Sequence, residues 1–356
     1  MLVDADALRT AVAAFVTALG SSVVEADRVA FHLVEANLTG HDSHGVGLLP
    51  RYVEALAEGG LQPDRTPHLL ADMGAFLQLD GQHGYGQTIA EAAAALAAER
   101  ARRQGCCIFT VRNSHHVGRV GQYAIQLAEQ ALVSIWFVNV LGRPIVAPWG
   151  GADGRHGTNP FAVGIPQPGA APFVLDFATS EVAQGKLRVA HNEGHPVRSG
   201  LLLDAQGRTT TDPRYAVIPP YGAILPFGAH KGSGLAMACE LLGGALPGGR
   251  TTREPPDQRR RITNGFLAIV IDPACVSETS FAEEVPGFLD WVRSSRTAEG
   301  HEQVQVAGEP ERHCRARRLA EGVRIDATTW YEILAAGRSS GVDIDRFLAL
   351  AAPEPT

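Results

Sequence analysis

The chain has no long run of one charge sign, no unbroken apolar stretch of membrane-spanning length, and neither of the two common glycine-rich nucleotide fingerprints. Each absence narrows what it can be. Its 31 Lys and Arg against 38 Asp and Glu leave a formal charge of −7, and without a basic patch nucleic acid is not the expected partner. The one short basic run, Arg259-Arg260-Arg261, follows Glu254 and Asp257 and reads as a solvated loop. The Ala-rich stretch from Ile89 to Ala98 is interrupted by Glu91 and ended by Glu99, so no membrane segment is expected. No Gly-x-Gly-x-x-Gly joins a strand to a helix; the nearest trace, Gly232-Ser233-Gly234, lacks the third glycine. Gln184-Gly185-Lys186-Leu187 lacks the hydroxyl residue that a P-loop needs. Five cysteines, two of them adjacent at Cys106-Cys107, make no disulfide framework and fit a reducing compartment. With Asp4 and Asp6 near the start and no basic, apolar leader, a cytoplasmic protein is expected.

What is present suits a soluble enzyme. The 356 residues are long for one simple core, and 45% hydrophobic with 19% charged content is ordinary for a globular chain. Asp4 is placed to cap a first helix carrying Leu8, Val12, Phe15, Val16 and Leu19; a second helix is expected from about Ser22 to Leu38, with Gly40 as its stop. A third is marked by Leu48, Leu49, Tyr52, Val53 and Leu56. From about Ala75 the pattern changes to strands near 75–79, 106–111, 132–140, 161–165, 173–177 and 265–271. Helices are expected between them at about 87–103 and 120–130, and a long one from His230 through Leu242. The tail returns to helices, with Asp326 as a cap. The expected organisation is α/β: an N-terminal helical part over 1–72, a central α/β part over 73–272, and a C-terminal helical part over 273–356 that packs with the first.

Three loops carry the chemistry. His41-Asp42-Ser43-His44-Gly45, Asn113-Ser114-His115-His116-Val117-Gly118 and Gly228-Ala229-His230-Lys231-Gly232 each set histidine beside glycine, and the first two add a hydroxyl. Histidine gives and takes protons near neutral pH, and glycine lets a ligand approach the backbone. One assembled site is expected. His230-Lys231 opens a helix, where N–H groups and the dipole favour an anion, although a surface lysine at a helix end is the plain alternative. Asp176 ends an apolar strand and needs a partner to stay charged there; a histidine is one candidate, and a cap to Thr179 or Ser180 is the other. His191 and His195 have i, i+4 spacing, but Gly194 and Pro196 spoil a helix and no third ligand is nearby, so no metal is expected.

Six ordered segments then give a resemblance along nearly the whole chain: Gly40 to Val46, Asn113 to Arg119, Gly157-Thr158-Asn159-Pro160, Leu175 to Ser180, Thr211-Asp212-Pro213 and His230-Lys231-Gly232. Gly308-Glu309, Gly322-Val323, Asp326 and Trp330 add to it. The sequence resembles the malate/L-lactate dehydrogenase family, the type-2 L-2-hydroxycarboxylate dehydrogenases that lack a Rossmann fold. The resemblance implies a non-Rossmann α/β dehydrogenase fold, a homodimer, and reversible reduction of a 2-oxo acid to an L-2-hydroxy acid with NAD or NADP. It places His44, Ser43 and Asp176 in the proton-transfer group, with His116 as a second acid/base candidate. It implies cofactor contacts from His44; from Gly118, Arg119 and Val120; from Val174, Leu175, Asp176, Phe177 and Ala178; from His230, Lys231 and Asn264; and from Gly308, Glu309, Pro310 and Glu311. Thr158 and Asn159 fall on the substrate side. Two departures stand out. Leu48 replaces an arginine common in the family, leaving Arg51 or Arg119 to meet a substrate carboxylate. Ala307, not proline, precedes Gly308-Glu309. The alternatives are a cyclic imino-acid reductase on the same scaffold and a non-catalytic nucleotide-binding homologue.

Overall fold

The computed structural model describes residues 1–253, 262–276 and 280–352. The basic run Arg259-Arg260-Arg261 lies outside the described residues. The chain starts with β1 (Leu2–Val3), α1 (Ala5–Ala18) and α2 (Val23–Leu38), then passes through two 3-10 turns, Asp42–His44 and Val46–Leu48, into α3 (Leu49–Ala57). The helix starts are set locally: Asp4 Oδ1 accepts the N–H groups of Asp6 and Ala7, and Ser22 Oγ accepts that of Glu25. The chain continues through β2 (His68–Asp72), β3 (Phe76–Asp80), α4 (Gly86–Gln104), β4 (Cys106–His115), α5 (Gly121–Ala128), β5 (Val133–Leu141), β6 (Pro160–Gln167) and β7 (Ala170–Ala178). Next come α6 (Gln184–Asn192), β8 (Leu202–Leu203), β9 (Thr209–Thr210), α7 (Arg214–Val217), β10 (Ala223–Ile224), α8 (His230–Glu240) and β11 (Thr263–Ile271). The tail holds α9 (Ser280–Arg293), α10 (Glu309–Glu321), β12 (Val323–Arg324), α11 (Ala327–Ser339) and α12 (Ile344–Ala351).

The main sheet has seven strands in the order β2-β3-β4-β11-β5-β6-β7, and only the β3/β4 pair is parallel. This is a mixed sheet, not the doubly wound parallel sheet on which a Rossmann fingerprint would sit. The apolar run Phe266–Ile271 lets β11 occupy the middle, paired antiparallel to β4 on one side and β5 on the other. α4 and α5 cover this sheet, burying Ile89, Ala93, Ala97, Tyr123 and Leu127 against Phe109, Trp136 and Phe266. A separate three-stranded sheet, β10-β8-β9, packs its own small core around Leu187, Leu202 and Ile224. Among the described residues no helix is long and apolar enough to cross a membrane.

The two chain ends share one core. β1 pairs antiparallel with β12, and Phe15, Leu33, Leu49 and Tyr52 bury with Val323, Trp330, Ile333 and Phe347. Phe15 and Phe347 meet edge to face with ring centres 5.6 Å apart. Gly337 permits the approach, since a Cβ there would lie 2.8 Å from the Phe15 ring.

Three expected elements differ in extent. The strand expected to end at Val111 runs on to His115, because Thr263 and Asn264 of β11 pair with His115 and Ser114 past an irregularity in register. The long helix from His230 ends at Glu240 and passes into a π-type turn, Leu241–Ala245. There, Gly243 and Gly244 lie against Asn139 and its neighbours, where no side chain fits. The helix expected to reach residue 130 stops at Ala128, where Ala131 takes φ +63° and turns the chain into β5.

Phe15→Ala removes a fully buried ring shared by both ends of the chain. The expected cost is about 3–5 kcal/mol, read as a lower denaturant midpoint. A loss under about 1 kcal/mol would show that the two ends are not a single packing unit.

Candidate functional site

The fold gathers the first two histidine loops at one place. α2 ends at Leu38, and the 3-10 turn that follows presents Ser43 and His44. This turn is held from both sides. Asn37 Nδ2 donates to Asp42 Oδ1 at 2.6 Å, and Asn37 Oδ1 accepts the Val46 N–H at 2.9 Å. From α10, Arg318 grips both oxygens of Asp42, at 2.6 and 3.0 Å, and also donates to the Asn37 carbonyl. His41 meets Glu311 of α10 at 3.4 Å. Gly185, at the start of α6, packs on Ser43, where a Cβ would approach the serine Cβ to 2.8 Å.

β4 delivers His115 and His116. Asn264 of β11 fixes the turn beyond them: its Oδ1 accepts the Val117 N–H at 2.9 Å, while its Nδ2 donates to the Asn139 carbonyl. The imidazoles of His44 and His116 then lie face to face, ring centres 5.6 Å apart and planes 14° apart. Ser43 Oγ is 3.0 Å from His44 Nδ1, and the Tyr52 hydroxyl is 3.0 Å from His116 Nδ1. Burial is the main cause that lowers both rings' pKa values. His44, although part of its surface stays exposed, is held at about 4; nearby His41 and Arg119 push the same way and the Asp176 carboxylate opposes them. His116 is held well below the ordinary value by burial, with His44 and His115 adding to it. Both rings are therefore neutral in the free protein near pH 7.

Asp176 stands on β7 beside this pair, but its direct partners are not histidines. Its Oδ2 accepts the Gly121 N–H at the start of α5 at 2.9 Å and lies 3.4 Å from Arg119 Nε. Gly121 is required there, because a Cβ would fall 2.6 Å from that oxygen. The Arg119 side chain is 3% exposed, and the geometry leaves its Nε and Nη1 with no hydrogen-bond acceptor. The Asp176 carboxylate faces this buried charge, while two of its N–H groups stay without an acceptor. Just before Arg119, Gly118 takes φ +73°, a left-handed conformation that favours glycine.

The remaining expected residues fall into two groups. Val174 to Ala178 line the end of β7, and Ala307 accepts the Val174 N–H at 3.4 Å, so Gly308 (φ +92°) and the start of α10 sit against that strand. Glu309 is engaged by Arg293 and the Val306 N–H. Phe227 N–H bonds the Thr179 carbonyl, which brings the start of α8 to the same edge. His230 there contacts Trp149 edge to face, and exposed Lys231 makes no ion pair among the described residues. Others have partners in the scaffold. Asn159 is fully buried, donating to Glu240 and the Ala236 carbonyl and accepting the Val140 N–H. The Thr158 carbonyl accepts from Thr179. Arg51 is paired with Glu54 on the exposed side of α3, and Leu48 packs onto the helical core. Among the described residues no group of His, Cys, Asp and Glu could hold a metal. Tyr52 and Gln87, both in contact with the His116 assembly, are absent from the loops that mark the site in the sequence. Tyr52 reads there only as a core position of an amphipathic helix.

Comparison with known proteins is consistent along the chain. The family model described as malate/L-lactate dehydrogenase matches residues 3–334. The chain is 40% identical over 341 residues to hydroxycarboxylate dehydrogenase B of Escherichia coli K12, covering 95% of this chain and 94% of that one. It is 36% identical over 322 residues to an L-lactate dehydrogenase of Cupriavidus necator, covering 90% and 92%. A solved E. coli structure assigned as a malate/lactate dehydrogenase superposes with a TM-score of 0.94 at 39% identity, covering 98% of each chain.

Because His44 is neutral when folded and its pKa is lowered from 6.5 to about 4, the unfolded chain binds the extra proton between these values. Its contribution to stability is complete above about pH 6.5 and is lost as the pH falls toward 4. Between pH 7 and pH 5 this amounts to about 2 kcal/mol. His44→Gln should therefore show a flatter stability profile across that window in denaturant titrations. Parallel profiles for parent and variant would contradict the burial argument.

Proposed function

The chain belongs to the malate/L-lactate dehydrogenase family, and from that premise we propose that it reversibly reduces a 2-oxo carboxylic acid to an L-2-hydroxy acid with NAD or NADP. It is a dehydrogenase acting on 2-hydroxycarboxylates. The observation that carries the finer reading is the stacked His44–His116 pair lying beside the unbonded donors of a buried Arg119. A substrate with a carboxylate next to a carbonyl matches both features, an anion for the guanidinium and an oxygen for the imidazoles.

In this reading Arg119 takes the anionic group. Leu48 offers no charge and Arg51 pairs with Glu54, so the cation that the family commonly supplies at position 48 comes here from Arg119, in the loop between β4 and α5. His44 gives the proton to the carbonyl oxygen in the reductive direction and removes it in the oxidative one. Ser43 Oγ holds its Nδ1. The Asp176 carboxylate favours the charged ring through space, and a bound anionic substrate acts in the same direction. His116 faces the same oxygen.

The residues present fit a dinucleotide. Left-handed glycines at 118 and 308 and the exposed helix start at His230-Lys231 stand about the end of β7. Gly118 to Val120, Val174 to Ala178, His230 with Lys231, and Gly308 to Glu311 would hold it, and Asn264 would act by fixing the turn at Val117. A bound nicotinamide supplies or takes up the hydride. Exposed apolar side chains at Trp149, Met237 and Leu241 support the homodimer.

The test is a panel of 2-oxo acids and cyclic imino acids with NADH and NADPH. Turnover of 2-oxo acids is expected. Turnover confined to cyclic imines, or none with any candidate, would sink the reading. His44→Ala is expected to lower kcat by about 10²–10⁴-fold, with a smaller effect on cofactor affinity; a change of only a few-fold would pass the proton-transfer role to His116. Lys231→Met should raise the Kd for the reduced cofactor and weaken its salt dependence. Fluorescence titration with unchanged affinity and salt response would leave Lys231 as ordinary surface.

A further inference from the structure

We infer that Tyr52 and Gln87 are positioning residues that fix the tautomer of His116, so that its Nε2 carries the hydrogen and faces the reacting oxygen as a donor. The inference rests on the reading of His116 as a site residue and goes beyond it by assigning the ring's hydrogen-bonding sense.

The argument is one of direction. Tyr52, on α3, is fully buried, and its hydroxyl has two polar neighbours: Gln87 Nε2 at 2.7 Å and His116 Nδ1 at 3.0 Å. An amide nitrogen only donates, so Gln87 fills an acceptor position of the tyrosine oxygen. The single phenolic hydrogen is then left for His116, whose Nδ1 must accept it. A neutral imidazole that accepts at Nδ1 bears its hydrogen on Nε2. Burial keeps each group in the required state, holding the phenol protonated and His116 uncharged.

The orientation of the Gln87 amide decides the direction, and burial favours the one described. With Nε2 on the tyrosine, the amide oxygen is the atom left without a partner. The reversed amide would bury an NH2 with two unused donors in its place, and orphaned donors are rarer in proteins than under-used carbonyl oxygens. The backbone is built for the contact. Gly86 opens α4 against the carbonyls of His115 and His116, where a Cβ would collide with His116 O, and the next residue is Gln87. The Tyr52 ring is wedged edge to face against Tyr85 and His115, centres 5.5 and 5.6 Å away, which fixes where its hydroxyl points.

The chemical consequence separates the two histidines. A His116 locked with hydrogen on Nε2 donates to a carbonyl or hydroxyl oxygen but cannot act as the base that removes a proton from the alcohol. That task falls to His44, whose Nδ1 partner is the rotatable Ser43 hydroxyl.

The experiment reads the tautomer directly in the free protein. Histidine ¹⁵N chemical shifts, assigned by comparison with His116→Gln, are expected to show His116 protonated at Nε2 at pH 7. Gln87→Glu, read at a pH where ¹³C shifts show its buried carboxyl ionised, replaces the donor by a carboxylate that only accepts. This reverses the chain, so His116 should move to the Nδ1 tautomer and kcat for 2-oxo-acid reduction should fall by at least about tenfold, with a smaller change in KM. Tyr52→Phe should lower kcat similarly and leave Nδ1 without its donor. A parent His116 protonated at Nδ1 overturns the inference. So does Gln87→Glu with unchanged tautomer and unchanged kcat, a measurement that stands even if Tyr52→Phe does not fold. A parent that shows the Nε2 tautomer but turns over no 2-oxo acid removes the proposed reaction and leaves the relay intact.

Discussion

Two imidazoles stacked in a poorly solvated place repel each other when charged, and the rest of the site is arranged around that constraint. Burial is the main cause that disfavours the proton on both rings; His44 adds to it at His116, and His41 and Arg119 add to it at His44. A proton can be accepted there only when something compensates for it. Asp176 is close enough to act through space, yet its oxygen is occupied by the α5 helix start and Arg119. The free protein thus keeps both rings neutral, and in the proposed reaction the anionic substrate supplies the missing negative charge. Binding and protonation are coupled by the same electrostatics.

Holding two such rings in register takes rigid support from distant parts of the chain. β4 carries His116 because it runs on to His115 in pairing with β11, and Asn264 secures the turn just past the pair. The turn with His44 has little regular structure of its own. It depends on Asn37 behind it and on Arg318 in front, whose guanidinium takes both oxygens of Asp42. α10 is tied to α2 by Arg315, which grips both oxygens of Glu35, and is followed directly by β12, which pairs with β1.

Much of this was legible in the sequence, and the boundary is physical. Caps at Asp4 and Asp326 depend on residues within one turn, so the pattern reveals them. The histidine loops stand out because glycine, hydroxyl and imidazole side by side are chemically conspicuous. The extension of β4 beyond Val111 was not legible, because it is decided by a partner strand far along the chain. Nor were the partners of Asp176: a strand-end carboxylate calls for something, and only the fold puts Gly121 and Arg119 there rather than a histidine. Tyr52 and Gln87 escaped for a related reason. Each suits its own helix, and their meeting with His116 joins residues 35 and 64 positions apart. Asn159 shows the reverse, since a polar residue in a marked segment proves to be wholly engaged in joining β5 to α8.

The grip of Arg318 on Asp42 also sets an order of events during synthesis. The two residues are 276 positions apart, and ribosomes add about 5–20 residues per second. The turn bearing His44 therefore emerges on the order of ten seconds to a minute before the side chain that secures it. A nascent chain can assemble the central sheet through β11 while the turn bearing His44 is still untethered, and the tether arrives only with α10.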